Sequence, residues 1–158
     1  MVPSPGPSTS ADPRLTVTRE ILQAERTTDR RGRPRYLSSP RKPGEPVEIG
    51  EALLVRLTLR SDRGVRWVAV EEPRPAGLEV SELLPAGAQW PYGTHAEQRD
   101  DRNVFFLEEV PKGETVIEYL ARAEVGGAFT GLPVAAYAMY EPELLVRSEE
   151  ERVRIEAP

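Results

Sequence analysis

The stretch EALLVRLTLRSD, Glu51 to Asp62, alternates apolar and polar residues and decides the fold class of this chain. Its odd positions from Leu53 to Leu59 are apolar, and its even positions from Arg56 to Arg60 are polar. A period of two is typical of a strand with one buried face. The stretch therefore predicts a β-strand that lies on a hydrophobic core.

Further strands are predicted on the C-terminal side of this stretch. The run VRWVAV (65–70) follows a turn, and VFFL (104–107) is apolar on both faces, which favours a central strand. A long alternating strand covers 115–125. Two short strands at 143–148 and 152–156 complete the prediction.

On the N-terminal side, Leu15 and Val17 alternate with threonines, as in a strand. The following REILQAER (19–26) fits a helix or a strand, and the pattern leaves both open. A hairpin turn is predicted at 29–32 and a returning strand at 35–38. In total, seven to nine short strands with Gly and Pro turns predict an all-β, antiparallel sandwich of the immunoglobulin or fibronectin type.

Composition limits the function classes. The 158 residues suit one domain, and the net charge of -5 is spread without a long basic run, which argues against nucleic acid and anionic membranes. No cysteine is present.

We predict a flexible Pro/Ser-rich linker at 1–13 and a folded domain at 14–158. The first ten residues lack the features of a signal peptide. Asparagine, whose side-chain amide is labile to heat, occurs only once in the sequence, and this scarcity fits a thermophilic source.

Candidate catalytic groups are sparse. His95 is the single histidine, with Asp100 and Asp101 nearby in sequence and Thr94 and Ser81 as hydroxyl groups. A serine-type triad needs a nucleophile, a base and an orienting carboxylate, but no nucleophile-elbow pattern surrounds either hydroxyl. An exposed loop histidine is the favoured interpretation.

Two carboxylate pairs, Glu71-Glu72 and Asp100-Asp101, have the composition of a calcium site or a glycosidase pair. Their spacing supports neither. The favoured interpretation is charge at strand ends, paired with Arg66, Arg99 or Arg102.

The aromatic residues favour core packing over a binding platform. They include Trp67, Phe105, Phe106 and Phe129. Trp90 lies in a loop rich in Pro and Gly, which suggests a surface anchor. Glycine-rich phosphate-binding motifs are absent from the sequence. We therefore predict no catalytic, cofactor-binding or metal-ligating residue.

Four motifs keep the order and spacing of a known family. They are VEEPRPAGLEV (70–80), RDDRNVFFLEEVPKGE (99–114), YLARAEVGGAFTGLP (119–133) and AYAMYEPELLVRS (136–148). The entry PVEIGEALLVRLTLRSD (46–62) fits the same pattern. Together they resemble the last macroglobulin-like domain of bacterial alpha-2-macroglobulins.

The resemblance implies a non-catalytic C-terminal domain of an endopeptidase inhibitor that traps proteases. Its partners would be the other domains of a longer exported chain, in the periplasm or outside the cell, and indirectly a protease. The domain would rearrange after cleavage and would itself be a monomer. Many family members carry a thioester, which needs a cysteine that this chain lacks.

The resemblance also implies roles for particular residues. The alanine-rich segment before Pro142 would be a structural crossing, with Met139 filling a gap and Tyr140 burying its ring. Asp101 and Arg102 would form ion pairs or backbone hydrogen bonds at a strand start.

Two other functions remain open. One is a stand-alone sandwich that binds a protein or glycan through an exposed patch around Trp90 and Tyr92. The other is a hydrolase in which His95 and a carboxylate converge in a cleft.

Overall fold

The computed structural model describes residues 12–42, 44–85 and 88–158. All of the regular structure in these ranges is β, as predicted, but it comprises more strands than the seven to nine expected. The strands are β1 Thr16–Thr28, β2 Pro34–Ser39, β3 Val47–Glu48, β4 Ala52–Ser61, β5 Val65–Pro73, β6 Leu78–Glu82, β7 Thr94–Gln98, β8 Arg102–Val110, β9 Gly113–Ala123, β10 Gly127–Gly131, β11 Ala135–Ala138, β12 Glu141–Arg147 and β13 Glu151–Glu156.

The strands form three sheets. The first has the order β2-β1-β4-β9-β6, the second β12-β11-β5-β8-β7, and a small third sheet has the order β10-β13-β3. Neighbouring strands are antiparallel except β13 and β3. The two large sheets pack face to face as a sandwich. None of the described residues belongs to a helix that could span a membrane.

The decisive stretch becomes β4, at the middle of the first sheet. Leu53, Val55, Leu57 and Leu59 are buried, because their shared parity turns them towards the second sheet. Phe105 and Tyr119 meet them in the core, with nearly stacked rings 6.4 Å apart. A second row, Leu22, Leu54 and Leu120, is buried on the outer face of the same sheet.

The ambiguous segment REILQAER (19–26) is part of β1. Pairing with β4 selects the strand, because Val17, Arg19 and Ile21 all face the core. The predicted turn at Asp29 also forms: its carboxylate accepts the backbone N–H groups of Arg31 and Arg33 at 2.8 and 2.9 Å. Positions 1–11 of the predicted linker (1–13) lie outside the described residues.

The apolar strand β8 lies between β5 and β7, which confirms the prediction of a strand inside a sheet. One expectation differs from the structure. The alanine-rich segment is a true strand, β11, paired with β5 and β12. Pro142 lies within β12, which is tolerated because β12 is an edge strand.

Candidate functional site

The hairpin of β11 and β12 ends in a tight turn. Ala138 pairs with Glu141, so Met139 and Tyr140 alone form the turn. The backbone N–H of Met139 donates to the carbonyl of Trp67 at 2.8 Å, which ties the turn to β5. Ala136 and Ala138 face inwards and are buried. Their small side chains let the hairpin lie close against the core.

The outer side of this hairpin is apolar and exposed. We define the hairpin face as Trp67, Tyr137, Met139, Tyr140 and Leu145. Trp67, Met139, Tyr140 and Leu145 are 42%, 45%, 77% and 40% exposed, respectively. A shallow cavity of about 430 Å³ runs past Tyr137, Met139 and Leu145, and Glu71 and Arg147 add charged groups to its lining. Exposed apolar groups that lie together mark a contact surface.

Trp67 has an unusual backbone within this face. Its φ of 56° lies in the left-handed region, which bulky residues rarely adopt. The guanidinium of Arg66 lies 5.8 Å from the ring centroid. This contact covers part of the ring with a cation. The prediction that Trp67 packs in the core is wrong, because the ring lies on the outer surface of β5.

A polar cluster is buried between the two large sheets. The side chains of Arg19 and Glu72 are both fully buried, with Arg19 Nη1 3.6 Å from Glu72 Oε2. The Tyr119 hydroxyl donates to Glu72 Oε2 at 2.7 Å, and Asn103 Nδ2 donates to Glu72 Oε1 at 3.1 Å. Arg74 Nη1 donates to Asn103 Oδ1 at 2.9 Å. The cluster therefore satisfies both carboxylate oxygens of Glu72.

Arg19 also joins three parts of the chain. It donates to the carbonyl of Pro73 at 3.0 Å and to the carbonyl of Leu132 at 2.7 Å. These bonds link β1 to the end of β5 and to the loop before β11. Its Nε is buried without a partner among the described residues. A fully buried, fixed cation of this kind joins elements that are distant in sequence.

Burial dominates the electrostatics of the cluster. Burial raises the pKa of Glu72, while the Arg19 charge and the hydrogen bonds from Tyr119 and Asn103 act in the opposite direction. Burial, and next the charge of Glu72, raise the pKa of Tyr119 well above its usual value. The cluster is closed to solvent, so its geometry supports a structural role.

Sequence reasoning missed this cluster, although a signal was present. Arg19 lies at the same parity as Val17 and Ile21, and Glu72 at the same parity as Val68 and Val70. Each charge thus occupies an inward position of a strand. Two opposite charges at inward positions of two strands indicate a buried pair, but their contact depends on how the sheets stack.

The predicted carboxylate pairs do not converge. Glu71 points outwards to Arg102 at 3.6 Å, whereas Glu72 points into the core. The prediction that both glutamates lie at a charged strand end is therefore wrong for Glu72. Asp101 pairs with Arg102 at 3.2 Å, as expected for a strand start. The hydrogen bond from Arg102 lowers the pKa of Asp101.

His95 lies on the edge strand β7 and is exposed. Its ring stacks on Phe106 with a centroid distance of 6.3 Å. Thr94 adjoins it in the strand and therefore projects to the opposite face. No hydrogen bond joins His95 to Asp100 or Asp101 in the described part of the chain. Within that part, no group of three metal-ligating side chains forms either.

Two further expectations from the sequence are corrected. Trp90 is not a surface anchor: it packs edge-on against Phe105 at 5.7 Å, and its Nε1 donates to the Glu118 carbonyl at 3.2 Å. Only Tyr92 of the predicted Trp90–Tyr92 patch is fully open. Met139 does not fill a gap and Tyr140 does not bury its ring, because the two-residue turn projects both side chains outwards.

Comparisons with known proteins agree with this sandwich. Residues 15–143 match the family described as the bacterial alpha-2-macroglobulin MG10 domain. An alpha-2-macroglobulin of Xylella fastidiosa is 30% identical over 122 residues, which cover 66% of this chain and 7% of that protein. The chain thus spans only a small fraction of its curated relatives.

Solved structures give the same result. The Salmonella alpha-2-macroglobulin reacted with methylamine matches at a TM-score of 0.71 and 26% identity, covering 98% of this chain and 10% of that one. An Escherichia coli alpha-2-macroglobulin, spanning domain MG7 to the C-terminus, matches at a TM-score of 0.73 and 23% identity, covering 98% and 25%. The fold is that of a macroglobulin-like domain. This chain belongs to the bacterial alpha-2-macroglobulin family.

Proposed function

We propose that this chain is a non-catalytic domain of a bacterial alpha-2-macroglobulin-like endopeptidase inhibitor, and that it packs on neighbouring domains of its parent chain. The hairpin face carries this proposal, because it is an exposed apolar surface on a domain that spans about 7% of its curated relatives. A C-terminal position in an exported parent is part of the proposal. Because Trp90 packs against Phe105, only Tyr92 remains open in the patch on which the stand-alone binding module was based.

The same domain takes part in the rearrangement that follows protease cleavage. The native conformation of Escherichia coli alpha-2-macroglobulin matches this fold at a TM-score of 0.71, and the elastase-activated form matches at 0.70. Because the fold matches both states about equally, we expect the domain to keep its internal fold while its contacts with neighbouring domains change. A two-state interface of this kind needs a surface such as the hairpin face.

Hydrogen exchange in the full-length parent tests the proposal. Amides of β11 and β12 should exchange more slowly in the native parent than in the isolated domain, because a neighbouring domain covers them. Their protection should change after trypsin treatment. Equal exchange in the isolated domain and in both states of the parent would contradict packing through this face.

A pair of variants separates packing from folding. Met139→Ser with Leu145→Ser changes the hairpin face, and Val125→Ser with Leu132→Ser changes side chains of similar exposure elsewhere. Both double variants should leave the unfolding free energy of the isolated domain within about 0.5 kcal/mol. Only the first should lower the thermal midpoint of the parent. Equal effects of the two variants on the parent would argue against the proposal.

A further inference from the structure

The hairpin of β1 and β2 extends beyond the first sheet. β1 pairs with β4 from Thr16 to Gln23, but from Gln23 to Thr28 it pairs with β2 alone. We define the arm as residues 24–39, the two-stranded ribbon and its turn. One face of the arm is occupied: Tyr36 packs on the Leu22 row, and its hydroxyl donates to Glu82 at 3.1 Å. The opposite face is open.

The arm is basic, although the chain as a whole is acidic. It contains five arginines and two acids, Glu25 and Asp29, which gives a charge of +3. The whole chain carries -5, so the remainder carries -8 (-5 minus 3). The sequence has no long basic run, but the ribbon concentrates arginines on both of its strands and its turn.

Most of these arginines have no counter-charge. Arg33 pairs with Asp29 at 2.8 Å, whereas Arg26, Arg30, Arg31 and Arg35 form no ion pair within the described ranges. Elsewhere on the same sheet, exposed and half-buried arginines do form ion pairs with carboxylates. Arg56 pairs with Glu118 and Arg60 with Glu114; Arg122 pairs with Glu124. The arm therefore presents guanidinium groups that are free to bind an external anion.

The arm also presents a free strand edge. β2 is the edge strand of its sheet, so one side of its backbone is unpaired. Leu37 projects from β2 with 54% of its surface exposed. A cavity of about 430 Å³ runs beside it, past Gln23, Glu25 and Ser39. The unpaired backbone edge, the apolar side chain of Leu37 and the arginines thus belong to the same two-stranded ribbon.

We propose that the arm binds an extended, acidic segment of a partner protein, which adds to β2 as a further strand. Strand addition supplies backbone hydrogen bonds, and alternate side chains supply specificity. Guanidinium forks suit carboxylates because they bind both oxygens. A membrane or a nucleic acid would engage the arginines but would leave the β2 backbone and Leu37 unused. Positive charge also repels basic edges and attracts acidic ones, so the arm favours acidic strands.

A fluorescein-labelled peptide of alternating glutamate and valine tests this binding. Fluorescence anisotropy at low ionic strength measures its affinity for the chain and for two charge-matched variants. The arm variant carries Arg30→Gln, Arg31→Gln and Arg35→Gln; the control variant carries Arg63→Gln, Arg99→Gln and Arg122→Gln. Removing three exposed charge contacts should weaken binding by about tenfold in the arm variant and less than about twofold in the control.

Two N-methylated peptides test strand addition. One carries methyl groups on the valine nitrogens and the other on the glutamate nitrogens, so each removes the backbone donors of one edge. One peptide should lose binding and the other should retain it, because an added strand bonds through alternate residues. Equal binding of both peptides overturns strand addition. Equal weakening by the arm and control variants overturns the arm as the site.

The same anisotropy assay addresses other occupants. Anionic vesicles of phosphatidylglycerol and a single-stranded oligonucleotide are tested as competitors of the labelled peptide. If either displaces the peptide at a lower concentration than unlabelled peptide does, the proposal of a protein partner is overturned. Light scattering on the unliganded chain measures self-association. If the chain forms a dimer and the arm variant does not, the arm binds a second copy of this chain and not a partner protein. A monomer together with the N-methyl pattern supports the proposal.

Discussion

Replacing Arg19 by methionine should destabilise the fold in a way that depends on pH. Arg19 contributes two hydrogen bonds, to the carbonyls of Pro73 and Leu132, and the counter-charge of Glu72. Breaking a buried ion pair by removing one partner typically costs about 3–5 kcal/mol. We expect a loss of that size at about pH 8, because folding must then either bury the Glu72 carboxylate without its counter-charge or add a proton to it.

The sign of the pH dependence follows from the pKa of Glu72. Burial already raises it above the ordinary value of 4.5, and Arg19 opposes that rise. Without Arg19 the pKa in the folded state is raised further, so folded Glu72 keeps a proton that the unfolded chain releases. The stability of Arg19→Met is then retained at pH values below the pKa of Glu72 in the unfolded chain. It is lost as the pH rises through the pKa of Glu72 in the folded chain. At about pH 5 only the two carbonyl bonds are missing, a loss of about 2 kcal/mol.

Urea denaturation followed by circular dichroism, at several pH values, measures this effect. Arg19→Met combined with Glu72→Gln removes both charges and should recover about 1–3 kcal/mol at about pH 8 relative to Arg19→Met. Arg60→Met breaks an exposed pair with Glu114 and should cost less than about 1 kcal/mol at either pH. Equal destabilisation of Arg19→Met at both pH values, or no recovery in the double variant, would refute the reasoning.

Three further substitutions test the packing. Gly77→Ala should cost about 2–4 kcal/mol, because φ is +90° and a Cβ would lie 2.6 Å from Phe129 Cε2. Gly113→Ala, with φ +107° and open space, should cost only about 1–2 kcal/mol in the same denaturation assay; equal losses would contradict the steric argument. Trp90→Phe should cost about 1–2 kcal/mol, because the bond to the Glu118 carbonyl is lost. An unchanged urea midpoint would return Trp90 to the surface role predicted from sequence.

The errors in the sequence analysis share a physical cause. Alternation cannot say whether a short apolar segment such as Ala135–Ala138 pairs with another strand, since its partner β5 is about 65 residues earlier. It also cannot say whether an aromatic residue in a loop returns to the core. Trp90 does so because Phe105 and the Glu118 carbonyl lie beneath it, and both belong to other strands.

The sequence by itself determined the fold class, the main strands and the family, because these depend on local alternation and on motifs with fixed spacing. β4 contains the predicted alternating stretch, and β9 overlaps its predicted range but begins and ends two residues earlier. Only the tertiary structure decided that Arg19 meets Glu72, that Met139 and Tyr140 project outwards, and that four of the five arginines of the arm form no ion pair within the described ranges. Each of these depends on which strands become neighbours, and that is a property of the whole chain.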